Sequence, residues 1–165
     1  MAGVLMTKKL ILLAEDDPSH QELFRRAVQK SGMDCDLRVV FDGVDAVDYL
    51  FSVGSYSERD PEEVLDLIVL DLRMPRMDGF QVLQVLHRVR DNDHARFPPV
   101  VVLTSSENAQ DIAEAYRWGA QSYIRKPLEF AEFAVAVRET LQYWLRRNVA
   151  PPVYKPGAQF AREQI

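Results

Sequence analysis

Cysteine is nearly missing from this chain: Cys35 is the only one in 165 residues. No internal disulfide can form, which fits a reduced compartment, and Cys35 is expected to be a packed side chain. Long apolar runs are missing too. The most leader-like stretch is Leu10–Ala14 behind Lys8 and Lys9, and it meets Glu15, Asp16 and Asp17 at once. It is too short for a signal-peptide core or a membrane span, so a cytoplasmic protein with no membrane partner is expected. A basic excess is lacking, since the formal net charge is −5. Nucleic-acid-binding modules carry a basic face, and no nucleic-acid partner is expected here. No glycine-rich phosphate loop follows the first apolar run, where the chain is acidic instead. That argues against a plain nucleotide- or flavin-binding protein. The histidines, His20, His87 and His94, lack metal-ligand spacing and are expected to be solvated.

What is present is ordinary globular material, with 47% apolar and 27% charged residues, enough for one domain with a real core. Leu10–Ala14, Leu67–Leu70 and Val100–Leu103 are almost wholly apolar, without period-2 alternation. Such runs suit strands buried on both faces of a parallel sheet. Leu37–Val40 and Ser122–Ile124 read as flanking strands. Helices fit between them. Asp17 caps the first, with Pro18 at its first position, and Gly32 ends it. Gly43–Phe51 is the second, Asp78 caps the third, and Ala109–Trp118 is the fourth. The fifth runs from Phe130 to about Arg147. Strand–helix alternation of this kind implies an α/β protein, a flavodoxin-like doubly wound five-stranded parallel sheet of order 2-1-3-4-5 with five helices. Residues 1–7 are read as an N-terminal extension and 8–147 as the domain. Residues 148–165 are read as an extended arm or a disordered tail, because Pro151, Pro152 and Pro156 exclude a helix. Ser52–Glu63 is a long polar connection that reads as an insertion.

In that fold ligands bind at the carboxyl ends of the strands. Glu15 and Asp16 follow the first strand and Asp71 ends the third, so three carboxylates converge. Their repulsion calls for a hard divalent cation with oxygen ligands, Mg²⁺ being the natural one. Thr104 ends the fourth strand and Lys126 the fifth. A hydroxyl, an ammonium and a cation around a carboxylate are what a phosphoryl group needs, with Asp71 as the attacking group.

Four motifs then occur in order: Glu15-Asp16-Asp17-Pro18, Val69-Leu70-Asp71-Leu72-Arg73-Met74-Pro75-Arg76-Met77-Asp78-Gly79, Leu103-Thr104-Ser105 and Tyr123-Ile124-Arg125-Lys126-Pro127. Together they resemble the receiver domains of two-component response regulators, which have the CheY-like version of this fold. The resemblance implies that Asp71 is the phosphoacceptor of a signalling switch rather than the centre of an enzyme. It implies that Asp16, Asp71 and the backbone carbonyl of Arg73 bind Mg²⁺ directly, with Glu15 acting through water. Thr104 and Tyr123 are the implied switch pair, and Lys126 the implied phosphoryl partner. The Lys126–Pro127 bond is expected to be cis. Arg73 and Ser106 occupy positions that tune dephosphorylation in the family, and Ser105 leaves room for a donor phosphohistidine.

The insertion at Ser52–Glu63, the connection Asp91–Pro98 and the aromatics Phe133, Tyr143 and Trp144 further resemble the small regulators paired with bacterial phytochrome histidine kinases. That implies a sensor histidine kinase, a phytochrome among the candidates, as the phosphodonor. Such relatives tend to form homodimers, and the aromatic fifth helix and Val153, Tyr154 and Phe160 of the arm agree with a homodimer through the fourth helix, fifth strand and fifth helix, the alternative being a frayed tail and a monomer. Output is expected to be a protein contact. The alternatives are a phosphorylation-independent adaptor, which usually loses one of the site residues retained here, and a haloacid-dehalogenase-type hydrolase. The hydrolase would need an aspartate where Arg73 stands.

Overall fold

The computed structural model describes residues 8–60, 63–93 and 97–149. Strands β1 (Lys9–Ala14), β2 (Cys35–Val40), β3 (Leu67–Leu70), β4 (Val100–Thr104) and β5 (Ser122–Arg125) alternate with helices. The helices are α1 (Pro18–Ser31), α2 (Gly43–Phe51), α3 (Gly79–Asp93), α4 (Ala109–Arg117) and α5 (Phe130–Gln142). All strand pairs are parallel, in the order β2-β1-β3-β4-β5. The expected fold class is the one observed.

The unbroken apolar strands are explained by two cores. Leu12 and Ala14 of β1, Ile68 and Leu70 of β3, and Val100 and Val102 of β4 face Tyr49, Leu83, Leu86 and Ala115 on one side. Their neighbours Ile11, Leu13, Val69, Val101 and Leu103 face Phe24 and Ala27 of α1 and Phe133, Val137 and Leu141 of α5 on the other. Successive side chains point to opposite faces and both faces are covered, so no polar alternation remains.

Local chemistry sets the helix starts. Asp17 accepts from the N–H groups of Ser19 (2.7 Å) and His20 (3.3 Å), with Pro18 at the first helical position. Asp78 and Gln81 exchange bonds of 2.9 Å each, closing a reciprocal cap on α3. Gly32, at φ 67°, turns the chain out of α1 in the left-handed conformation.

Strands β1, β4 and β5 each differ by one residue at an end, and three other boundaries differ for identifiable reasons. β2 begins at Cys35, because Cys35–Leu37 pair with Lys9–Ile11 although little of that stretch is buried. Trp118 is the cap of α4 rather than part of it. Helix α5 ends at Gln142 and continues as a π-helical turn over Tyr143–Arg147. The connection from Ser52 folds onto α2 through a 3₁₀ turn at Gly54–Tyr56. There the Arg59 guanidinium lies 4.3 Å from the Tyr49 ring centroid. It also donates to the Tyr49 carbonyl (3.3 Å) and to Glu63 (3.1 Å). The arm residues Val153, Tyr154 and Phe160, and His94, lie outside the described residues.

Candidate phosphoacceptor site

Parallel pairing brings the strand ends together. Ala14 stands beside Leu70, so Glu15 and Asp16 emerge next to Asp71, and the Asp71 N–H donates to the Ala14 carbonyl (3.0 Å). Glu15, Asp16 and Asp71 each offer a carboxylate oxygen, all within 4.8 Å of one another. Lys126 closes the crevice from the end of β5. Its ammonium donates to Glu15 Oε2 (2.5 Å) and Asp71 Oδ2 (2.8 Å), with the three side chains only 6%, 4% and 9% exposed. Burial draws the Lys126 ammonium down, but the Asp71 and Glu15 carboxylates outweigh it and raise its pKa overall. Burial pushes the Glu15 carboxyl above its ordinary range, against the pull of Lys126.

Beside Lys126, at the end of the neighbouring strand β4, stands Thr104, which is 1% exposed. Its Oγ1 is buried and has no hydrogen-bond partner among the described residues. Buried polar atoms are ordinarily paired, so an orphan here needs an explanation. Tyr123 is half-buried on β5 and donates its hydroxyl to the Ser106 carbonyl (3.1 Å). Burial raises its pKa. The Arg73 N–H lies 3.3 Å from Asp71 Oδ1. Gly79 permits this tight path, since a Cβ there would stand 2.4 Å from the Asp71 carbonyl oxygen.

One expectation is corrected. No peptide bond among the described residues is cis, so Lys126–Pro127 is trans. The trans form is the intrinsically favoured one even before proline, and Lys126 reaches the site with it while its N–H bonds to the Thr104 carbonyl (2.8 Å).

Sequence reasoning missed three contributors. His20 was expected in solvent, yet its Nδ1 lies 3.1 Å from the Lys126 ammonium and 3.6 Å from Glu15. Its place in the first turn of a helix opening just after the acidic pair was the available signal. Gln21 holds the Glu15 carbonyl (2.7 Å). Asp111, in the first turn of α4, accepts from Arg73 Nη2 (2.7 Å) and Ser106 Oγ (2.6 Å), and nothing in its sequence context marked it.

Fold and site together define a phosphoacceptor-type α/β switch module. The sequence model of the response regulator receiver domain matches residues 11–138, and the chain belongs to that family. It is 36% identical over 142 residues to the probable methanogenesis regulatory protein FilR2 of Methanothrix harundinacea, covering 86% of this chain and 87% of that protein. It is 32% identical to response regulator Rcp1 of Synechocystis, covering 87% and 93%. The Mn²⁺-bound form of Rcp1 superposes with a TM-score of 0.74. The phosphorylated cyanobacterial phytochrome response regulator RcpA superposes with a TM-score of 0.76 at 30% identity, covering 87% of this chain and 99% of that one. Receiver domains are phosphoacceptor switches of two-component signalling rather than enzymes in the ordinary sense, and this chain is homologous to phytochrome response regulators. The oxygen-only cluster of Glu15, Asp16 and Asp71 suits a divalent cation. No described helix is long and apolar enough to cross a membrane.

Proposed function

We propose that this protein accepts a phosphoryl group on Asp71 from a sensor histidine kinase and passes the signal on by a change of shape and a protein contact. The supporting observation is the pairing of Lys126 with Asp71 in a carboxylate cluster, with a buried Thr104 hydroxyl at the end of β4 that has no partner among the described residues. An Asp71 carboxylate oxygen attacks phosphorus, and the bond from phosphorus to the donor's imidazole nitrogen breaks with its electron pair leaving on that nitrogen. Lys126 then holds one phosphoryl oxygen, and the Thr104 hydroxyl turns to donate to another, which satisfies it. Tyr123 gives up its bond to Ser106 and follows Thr104 inward.

The carboxylate oxygens of Glu15, Asp16 and Asp71 suit Mg²⁺, which Asp16, Asp71 and the Arg73 carbonyl would hold directly and Glu15 through water. Bound there, it would neutralise the approach of two anions. The phosphoryl group leaves when water takes it, a reaction the domain would itself promote. A phytochrome is the kinase class favoured by the likeness to the phytochrome response regulator RcpA. Residues 8–147 form the domain in this reading, which is cytoplasmic and binds no nucleic acid. A homodimer through α4, β5 and α5 is supported by Tyr116, Val135 and Tyr143, which are large and exposed on α4, α5 and the turn after it. Light scattering that finds only monomer at tens of micromolar would remove that part.

The test is incubation with acetyl phosphate and Mg²⁺, read by intact mass. Wild type should gain one phosphoryl group, and Asp71→Asn or added chelator should abolish the gain. A gain that survives Asp71→Asn places the acceptor elsewhere.

A further inference from the structure

Two loops of the site and the start of α4 meet on one oxygen atom. Asp111 Oδ2, in the first turn of α4, accepts from Arg73 Nη2 at 2.7 Å and from Ser106 Oγ at 2.6 Å. Arg73 belongs to the loop after β3, and its own N–H already points at Asp71 Oδ1. Ser106 follows Thr104 on the loop after β4, and its carbonyl accepts from Tyr123. One carboxylate therefore ties the Asp71 loop and the Thr104 loop to the start of α4.

The two members of the ion pair are held very differently. The Asp111 side chain is 12% exposed and the Arg73 side chain 66%. The carboxylate is fixed inside, next to the favourable dipole of a helix N-terminus and with Ser106 as a second donor. The guanidinium lies at the rim with room to move. A phosphoryl group on Asp71 would place a dianion beside the backbone from which Arg73 springs. Arginine binds such an oxyanion with two parallel N–H bonds, a better partner than one oxygen of a monoanionic carboxylate.

We propose that Asp111 is a positioning residue: it parks the Arg73 guanidinium on α4 in the resting protein, and a phosphoryl group on Asp71 draws Arg73 away and frees the first turn of α4. This rests on the reading of Asp71 as phosphoacceptor and adds to it a second route from the site to α4. That route runs through the loop after β3 and does not need the Thr104–Tyr123 pair. Loss of Arg73 leaves Asp111 with Ser106 and the helix terminus, so the cost of release is modest. The device is an ion pair biased by a covalent charge.

Backbone amide exchange, followed by mass spectrometry over residues 105–117, tests it on the full chain. Wild type, Arg73→Ala, Asp111→Asn and the double variant are compared before and after acetyl phosphate with Mg²⁺, and intact mass is read on each sample. Before phosphorylation each single variant should exchange about three- to tenfold faster over the first turn of α4, the scale of one half-exposed charge-assisted bond. The double variant should be no faster than either. Phosphorylation should bring wild type to at least the rate of resting Arg73→Ala and should raise Arg73→Ala less than wild type, through the Thr104–Tyr123 pair alone, while phosphorylated Thr104→Val should still show the part of the rise that Arg73 carries; an equal rise in Arg73→Ala and wild type overturns the latch. Additive effects in the double variant overturn the latch, as does full phosphorylation of wild type with α4 exchange unchanged. Absence of any mass gain in wild type overturns the phosphoacceptor reading, and the latch with it. If Asp111→Asn also loosens β1 and β3, Arg73→Ala decides alone, because its side chain lies mostly in solvent.

Discussion

Replacing Lys126 with methionine keeps the length of the side chain and removes its charge. In the folded protein that charge is the partner of both Glu15 and Asp71, and none of the three side chains is more than 9% exposed. Breaking a buried ion pair from one side costs about 3–5 kcal/mol, because the remaining charge loses its partner and does not regain water. Two carboxylates are stranded here. About 3 kcal/mol at pH 7.5 is therefore expected, which for a domain of this size lowers Tm by about 10 °C. The dependence on pH follows in sign. Glu15 has a folded pKa above 4.5, so its contribution is fully present below about pH 4.5 and is lost as pH rises through the folded value. The deficit of Lys126→Met should then shrink as pH falls towards 4.5. Lys126 has a folded pKa above 10.5, so wild type keeps the pairing up to that pH and loses it beyond the folded value. A divalent cation should recover part of the loss, growing with its concentration as binding to the folded state requires. Urea denaturation in chelator, repeated across pH and with millimolar Mg²⁺, measures all three effects. A deficit under about 1 kcal/mol at pH 7.5 refutes the reasoning, as does one that does not change with pH.

Gly79→Ala would push a Cβ to 2.4 Å from the Asp71 carbonyl oxygen and 2.8 Å from Leu72 Cα. Both are backbone atoms, so a loss of about 2 kcal/mol or more is expected, with slower phosphorylation. A thermal melt unchanged from wild type contradicts the geometry. Thr104→Val removes a hydroxyl that is buried without a partner. The resting protein should be as stable or about 1 kcal/mol more so, while the phosphorylation-dependent change at Tyr123 disappears, and clear destabilisation in urea would count against it. Arg76 has φ 61° and bonds Asp42 at 2.5 Å and Asp45 at 2.9 Å. Burial favours neutral Asp42, but Arg76 and backbone N–H groups outweigh it and hold the pKa below 3.8. That stability is present above about pH 3.8 and lost as pH falls through the folded value. Arg76→Ala should flatten this acid limb, and an unchanged limb in acid titration would show that the backbone donors suffice.

Much of this molecule was readable from its sequence. Continuous apolar runs such as Leu67–Leu70 suit strands covered on both faces, and their alternation with amphipathic stretches led to the doubly wound sheet. Asp17-Pro18 and Asp78 marked helix starts because capping is local chemistry between near neighbours. The site residues Glu15, Asp16, Asp71, Thr104 and Lys126 could be named because all sit at strand ends, and a parallel sheet gathers those ends on one edge.

What escaped the sequence depends on distances between segments that are remote along the chain. His20 reads as a solvated helix residue until β5 delivers Lys126 to within 3.1 Å of it. The Lys126–Pro127 bond is trans, which the motif alone did not reveal, because both isomers are compatible with the local sequence and the surrounding turn selects one. Asp111 looks like one more surface acid in the first turn of a helix. It joins two loops to α4 only because Arg73 and Ser106, from the ends of two neighbouring strands, arrive at the same oxygen. Local propensity and apolar patterning act over a few residues and are written in the chain; ion pairing between loops acts through space and exists only once the sheet has been assembled.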